Sequence, residues 1–221
     1  MAEFSWVIQL ILFLSSGIAF ACGVAQFFKK GIPLFTQIVI CGLGCMMLGW
    51  LFSVVILLTN GHIPDGFHVG KLGLAGGFLF LFSASFGQMN GLVDGGEKTY
   101  RKYRVLSLLA PIVILAIYIL SLFSTASIEV KCVDGVLCLV FALSSYYNLK
   151  HLIIPDVDFG ILKSIRGYNF LALLLSILSA INLIAMDQKW YIISWVASIL
   201  CAVTYIAIIP VLAKGAKKWT I

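Results

Sequence analysis

Charge is what this sequence has least of. Only 11% of its 221 residues are Asp, Glu, Lys or Arg, against about a quarter in an ordinary soluble domain. Fifteen basic and nine acidic side chains cannot cover the surface of a folded soluble protein of this size. With 62% of residues hydrophobic and a mean hydropathy of +1.08, the composition excludes a soluble enzyme, a disordered chain and a nucleic-acid binder. Other absences narrow the reading. Cysteines at 22, 41, 45, 132, 138 and 201 form no Cys-x-x-Cys pair and no Cys/His cluster at zinc spacing, so thiol–disulfide chemistry and a structural zinc are not expected. They read as small hydrophobes inside helices. The sequence has no Walker spacing, no nucleophile elbow and no Ser/His pairing within apolar segments, so no catalytic residue and no cofactor are assigned. The apolar runs do not alternate in polarity, which excludes a membrane β-barrel. The start, Met1-Ala2-Glu3, lacks the basic region of a signal peptide, and the first run is read as a retained helix.

What is present is a series of long apolar runs. A helix needs roughly 20 apolar residues to cross a bilayer. Seven segments qualify, at about 4–28, 34–59, 72–92, 105–124, 132–149, 168–186 and 190–212. The expected fold is an all-α polytopic membrane protein, a seven-transmembrane-helix bundle forming a single domain over residues 1–221. Twelve of the fifteen basic residues fall in the connectors of one side and the C-terminal tail, and three (Lys71, Lys131 and Lys189) on the other. The positive-inside rule then puts the N-terminus outside and the C-terminus in the cytoplasm, in a multi-pass protein of the cell membrane. The net charge of +6 is thereby assigned to anionic headgroups. Trp6, Trp190, Trp219, Tyr146, Tyr147 and Tyr168 are expected at the interfaces, and Trp50 deeper, with a partner for its indole N–H. Pro111 and Pro210 are candidates for bends.

Glycine is abundant, at 20 residues. Gly73, Gly76, Gly77, Gly87 and Gly91 give the third segment a small-residue face, and Gly42, Gly44 and Gly49 do the same on the second. Such faces let helix backbones approach closely, and the third segment is expected at the centre of the bundle.

Polar residues within the segments recur at helical spacing. Asp134, Cys138, Ser145 and Asn148 share a face of the fifth segment, Asn169, Ser176, Ser179 and Asn182 a face of the sixth, and Ser194, Ser198, Cys201 and Tyr205 a face of the seventh. Ser83, Gln88 and Asn90 add polar groups to the third. These stripes either tie helices together by hydrogen bonds or converge on a polar cavity. On the second reading the ligand-binding candidates are Ser83, Asn90, Asp134, Ser145, Asn169, Ser176, Ser179 and Asn182, between the third, fifth, sixth and seventh helices. Asp134 is expected near the interface, paired with Lys131 or capping its helix.

Three connectors hold further candidates. His62, Asp65 and His68 have donor types suited to a divalent metal, but a solvated turn is expected and no metal is assigned. The 93–104 connector reads as a turn at Asp94-Gly95-Gly96 followed by a basic, tyrosine-bearing stretch at the headgroups. His151, Asp156 and Asp158 in 151–167 could serve acid–base chemistry at a lipid interface. Ile63-Pro64-Asp65 and Ile154-Pro155-Asp156 repeat a tripeptide three segments apart, as inverted repeats in transporters would. The functional expectation is a permease or facilitator for a small polar or amphipathic solute. The alternatives are a sensor subunit with a cytoplasmic protein partner at 93–104 and 151–167, and a membrane-embedded lipid enzyme. The bilayer is the one certain partner, a homo-oligomer is compatible, and nucleic acid is excluded.

Overall fold

The computed structural model describes residues 2–28, 32–94, 96–155 and 161–216. Its described residues are helical apart from short connectors. In chain order the α-helices are α1 (Ala2–Phe27), α2 (Leu34–Asn60), α3 (Val69–Ser83), α4 (Gly91–Val93), α5 (Arg101–Leu106), α6 (Leu109–Leu122), α7 (Ile128–Ile153), α8 (Ile161–Asp187) and α9 (Tyr191–Ala216). A π-helical turn, Ala84–Asn90, joins α3 to α4, so the two form one rod. A 3-10 turn at Lys98–Tyr100 leads into α5.

Among the described residues, six helical segments are long and apolar enough to cross a membrane: Trp6–Phe27, Leu34–Asn60, Val69–Gly87, Lys98–Leu122, Leu162–Asp187 and Tyr191–Gly215. Large hydrophobic side chains such as Leu58, Ile112, Leu120, Ile192 and Val203 stand exposed on their flanks, as lipid-facing residues do. The seventh long helix, α7, has 26 residues but carries Glu129, Lys131, Asp134 and Lys150, and it is not among those six. Helix ends also differ from the sequence-based bounds. The α8 helix starts at Ile161 and α7 at Ile128, because polar residues at an interface extend a helix without registering as apolar.

The helices form a ring in the order α1, α2, α3, α7, α8, α9 and back to α1, with α6 packed outside against α7 and α8. The α6 segment is accordingly the least enclosed, with 22% of its apolar window buried, while α8 is the most enclosed at 61%. The third segment is therefore one wall of the ring, not its centre. Aromatic side chains fill the middle. Tyr168, Tyr205, Phe35, Phe78 and Phe141 are all fully buried. Phe78 packs on Phe141 at 4.5 Å between centroids, and Phe35 sits edge-on to Tyr168 at 5.1 Å. Tyr168 thus belongs to the core and not to the interface. Trp50 finds its expected partner: its Nε1 donates to the Tyr205 hydroxyl at 3.3 Å. Trp6 and Trp190 are exposed, and Trp219 lies outside the described residues.

Local chemistry explains the breaks. Gly61 closes α2 in a left-handed cap with φ of 74°, a conformation glycine adopts without a Cβ penalty. Pro111 is not a kink within a continuous helix. Regular helix is interrupted at Ser107 and Leu108 and α6 starts at Leu109, since Pro111 has no N–H to donate to the Ser107 carbonyl and its ring crowds that carbonyl. Pro210 sits inside an unbroken α9. The cysteines are all unpaired; Cys138 and Cys201 are buried, whereas Cys22, Cys41 and Cys132 are exposed on the outer faces.

The α2–α3 contact depends on glycine. A Cβ at Gly73 would fall 2.6 Å from the Gly49 Cα, and one at Gly49 2.6 Å from the Gly70 carbonyl oxygen. Gly87 and Gly91, which the sequence placed in the same small face, have open space beside them. Ile63-Pro64-Asp65 and the pair Ile154-Pro155 sit at opposite ends of the ring, and Asp156 lies outside the described residues. The packing of the two halves differs, since α6 contacts both α7 and α8 whereas α1 contacts α2 and α9. Gly73→Ala should therefore destabilise the protein by about 1–3 kcal/mol, read as a lower thermal midpoint in detergent. Gly91→Ala should leave the midpoint unchanged.

Candidate functional site

A cavity of about 330 Å³ opens at the end of the ring where the 61–68 connector lies. Its rim is formed by His62, Pro64, Asp65 and His68, and its walls by α1, α2, α3, α8 and α9. Trp50 and Phe141 line its floor, above the aromatic plug. From Gly61 to Trp50 the cavity follows α2 for about 16 Å at 1.5 Å per residue, roughly half of the apolar thickness of a bilayer.

Beside the cavity lies an ion pair. Lys71, one turn into α3, donates from Nζ to Asp134 Oδ1 at 2.9 Å. Lys71 is 8% exposed and Asp134 1%. Asp187, the last residue of α8, lies within hydrogen-bonding reach of Asp134 and close to Lys71. Asp134 thus does not pair with Lys131, whose ammonium instead donates to the carbonyls of Leu122 and Ser124. Nor does it cap α7, where the Ser127 hydroxyl accepts from the Val130 N–H. At the rim, burial and the neighbouring Lys71 push the His68 imidazole down to about 4, so it is neutral at physiological pH. Its ring stacks on Phe52, and its Nδ1 has no hydrogen-bond partner.

The polar stripes do face inward: Asp134, Cys138, Ser145 and Asn148, then Asn169, Ser176, Ser179 and Asn182, then Ser194, Ser198, Cys201 and Tyr205 are all buried. They do not enclose one continuous polar space. Ser145 donates to the Ala142 carbonyl and Ser176 to the Ala172 carbonyl, each at 2.8 Å, so these hydroxyls close on their own helices. Asn182 accepts from Ser194 at 2.8 Å and Ser198 at 3.0 Å, tying α8 to α9. Of the sequence-derived candidates, Ser179 and Asn182 line the cavity, and Asp134 borders it through Lys71. Ser83 is exposed on the outer face of its helix. Asn169 is fully buried, with neither amide atom hydrogen-bonded.

Asn90 belongs to a second cluster at the opposite, basic end. The Lys150 ammonium donates to Asn90 Oδ1 at 2.6 Å and pairs with Asp94 Oδ2 at 2.5 Å, and Arg104 Nε is 3.3 Å from the same oxygen. Burial works to raise the Asp94 pKa. The hydrogen bonds from Lys150 and the Gly96 N–H, with the charges of Lys150 and Arg104, outweigh it and hold the carboxyl below its ordinary value. His151 is fully buried behind this cluster, with both ring nitrogens unpartnered. Asp156 and Asp158, its proposed acid–base companions, lie outside the described residues. Among the described residues no three His, Cys, Asp or Glu side chains are grouped to hold a metal ion, including His62, Asp65 and His68.

Lys71, Asp187, Asp94 and Lys150 were absent from the sequence-derived set. Each lies at a segment end, where a charge reads as a connector residue. No protein-family model, curated protein or solved structure matches the chain.

Two outcomes follow from the ion pairs. Lys71→Met leaves Asp134 buried without its counter-ion and should cost about 3–5 kcal/mol, measured by chemical or thermal unfolding. Adding Asp134→Leu should restore much of that loss. Because the Asp94 carboxyl is held low, its contribution to stability is complete above the ordinary carboxylate range and is lost as pH falls below roughly 4. Asp94→Asn should lower the unfolding midpoint at neutral pH and make its fall on acidification shallower.

Proposed function

We propose that the chain is a seven-helix membrane protein, N-terminus outside and C-terminus cytoplasmic, acting as a permease or facilitator for a small polar or amphipathic solute. Counting α7 as a crossing is supported by where its charges lie. Glu129, Lys131 and Asp134 are at one end and Lys150 at the other, and Asp134 and Lys150 are both neutralised by ion pairs. The two residues are separated by about 24 Å of helix, with no charge between. The orientation rests on the basic residues gathered at the end opposite the cavity.

The observation that carries the functional reading is the one-sided cavity. It reaches about mid-depth from the outer end and ends on Trp50 and Phe141, with the buried aromatic side chains and the Asp94–Lys150–Arg104 cluster lying beyond it. A solute pathway caught open to one side has this form. The sensor alternative draws on the exposed Lys98, Arg101 and Lys102, a basic face suited to a cytoplasmic protein. The lipid-enzyme alternative has less support, since His151 is enclosed.

Osmotic swelling of proteoliposomes tests the reading without a labelled solute. Light scattering should report protein-dependent entry of at least one class among small polyols, amides, amino acids and amines. Leu183→Phe, which fills the cavity wall without touching a charge, should slow that entry several-fold. Swelling no faster than in empty liposomes for every class removes the permease reading.

A further inference from the structure

Several donors that line the cavity are engaged by the protein itself, while two buried acceptors beside it are not. Trp50 Nε1 donates to Tyr205, the Ser53 hydroxyl to the Gly49 carbonyl at 3.2 Å, and the Lys71 ammonium to Asp134. Gln9, only 1% exposed, places its amide nitrogen 3.8 Å from the Met186 sulfur. A thioether accepts and cannot donate, so the amide nitrogen faces the sulfur and the oxygen turns away from it, on a side chain that lines the cavity. That oxygen, Gln9 Oε1, has no partner, and neither has Asp187 Oδ2. Met186 and Asp187 are consecutive, so the two open acceptors belong to one region of the wall.

Charge points the same way. Two carboxylates, Asp134 and Asp187, share the single ammonium of Lys71, and Asp65 at the rim adds a further negative charge near Asp187. His68 is neutral. A second buried carboxyl with no ammonium of its own is satisfied either by a proton or by a cation. The walls also carry apolar surface from Trp50, Leu57, Leu74, Leu183 and Met186, and about 330 Å³ is at the small end of ligand sites.

We propose that this cavity binds a small organic cation bearing N–H donors, a primary amine or amidinium, with its charged head between Asp187 and Gln9 and its carbon body against Trp50 and Met186. The proposal rests on the reading of the cavity as a ligand site and adds the ligand class. It also implies competition with protons. Asp187 is faced by Asp134 and Cys138 from α7, Lys71 from α3 and Asp65 from the connector. Two carboxyls within hydrogen-bonding reach hold a proton between them when no cation is present, and that proton leaves when the ammonium arrives. Affinity therefore rises as pH is raised.

The test is calorimetric titration of the full chain in detergent with n-butylammonium, acetamidinium, sodium ion and the neutral n-butanol. The expected result is binding of the two organic cations, with n-butanol at least about tenfold weaker and no competition from sodium. Asp187→Asn removes the unpaired charge at constant shape and should weaken butylammonium about tenfold or more while abolishing the pH dependence. Gln9→Leu, which leaves every charged group in place, should weaken it several-fold and keep the pH dependence. Equal binding of butanol and butylammonium, equal competition by sodium, or an Asp187→Asn variant that binds as the parent does overturns the proposal. If proteoliposomes swell with polyols or amides while neither organic cation binds, the ligand class is wrong and the permease reading stands. If no solute enters and no cation binds, both fall.

Discussion

The structure depends on neutralising the charges that α7 carries at its two ends. A buried charge left without a partner costs several kcal/mol, and α7 buries one at Asp134 and another at Lys150. Both are answered by the same neighbour, the rod built from α3, the π-helical turn and α4. At the cavity end the rod supplies the cation, Lys71, to α7's Asp134. At the basic end it supplies the acceptor, Asn90, and the chain just beyond it supplies Asp94, to α7's Lys150. The two elements run in the same direction and are clamped top and bottom with opposite polarity. A wrong register would leave both charges unpaired, so the clamps fix how α7 sits in the ring.

The π-helical turn is part of the same constraint. Lys71 bonds a residue 63 positions later, and so does Ser85, whose hydroxyl donates to Asn148. At Asn90 and Lys150 the offset has dropped to 60. Between these contacts the rod uses more residues than α7 over the same stretch. Wider helical turns absorb such extra residues within a continuous helix. An uninterrupted α-helix would present different side chains to Lys150. The π turn Ala84–Asn90 is where the sequence gives up regular helical hydrogen bonding to bring Asn90 and Asp94 onto the facing charge.

Much of this architecture was legible in the sequence, and what was not has identifiable reasons. Apolar length alone marked the long helices, and 3.6-residue periodicity identified which faces of the last three helices turn inward. Periodicity reports direction, however, and not what occupies the space. Ser145 and Ser176 point into the ring and satisfy themselves on carbonyls three or four residues back, so a polar stripe at that depth is compatible with a dry interior. Long-range pairing was invisible. Lys131, three residues from Asp134, is the obvious local partner, whereas the actual one is 63 residues away, and nothing within either segment announces the match. Gln9 is a lone polar residue within an apolar stretch of the first helix, and its significance needs Met186 beside it, 177 positions later.

The placement of the clamps bears on how a solute could pass. Both join α7 to the rod that begins at α3, so these two elements move together or not at all. The glycine seam fastens α2 to the same rod at backbone distance, and that leaves α2, α3, α4 and α7 as one wall. Facing them, α8 and α9 are tied by Asn182 with Ser194 and Ser198, and α1 packs on α9. Across the floor of the cavity, the hydrogen bond from Trp50 to Tyr205 links the α2 wall to α9 through a single interaction of 3.3 Å. A neutral hydrogen bond of that length is worth about 1 kcal/mol, far less than a buried ion pair costs to break. If the ring opens below the cavity, it opens there, with α8 and α9 shifting against a wall held rigid by its own charges. Around the ring the two groups meet at the α1–α2 and α7–α8 boundaries, the second of them near where Asp187 meets Asp134 and Lys71. A cation arriving at Asp187 acts at that boundary, and so binding and the relative position of the walls are coupled through the same carboxylates.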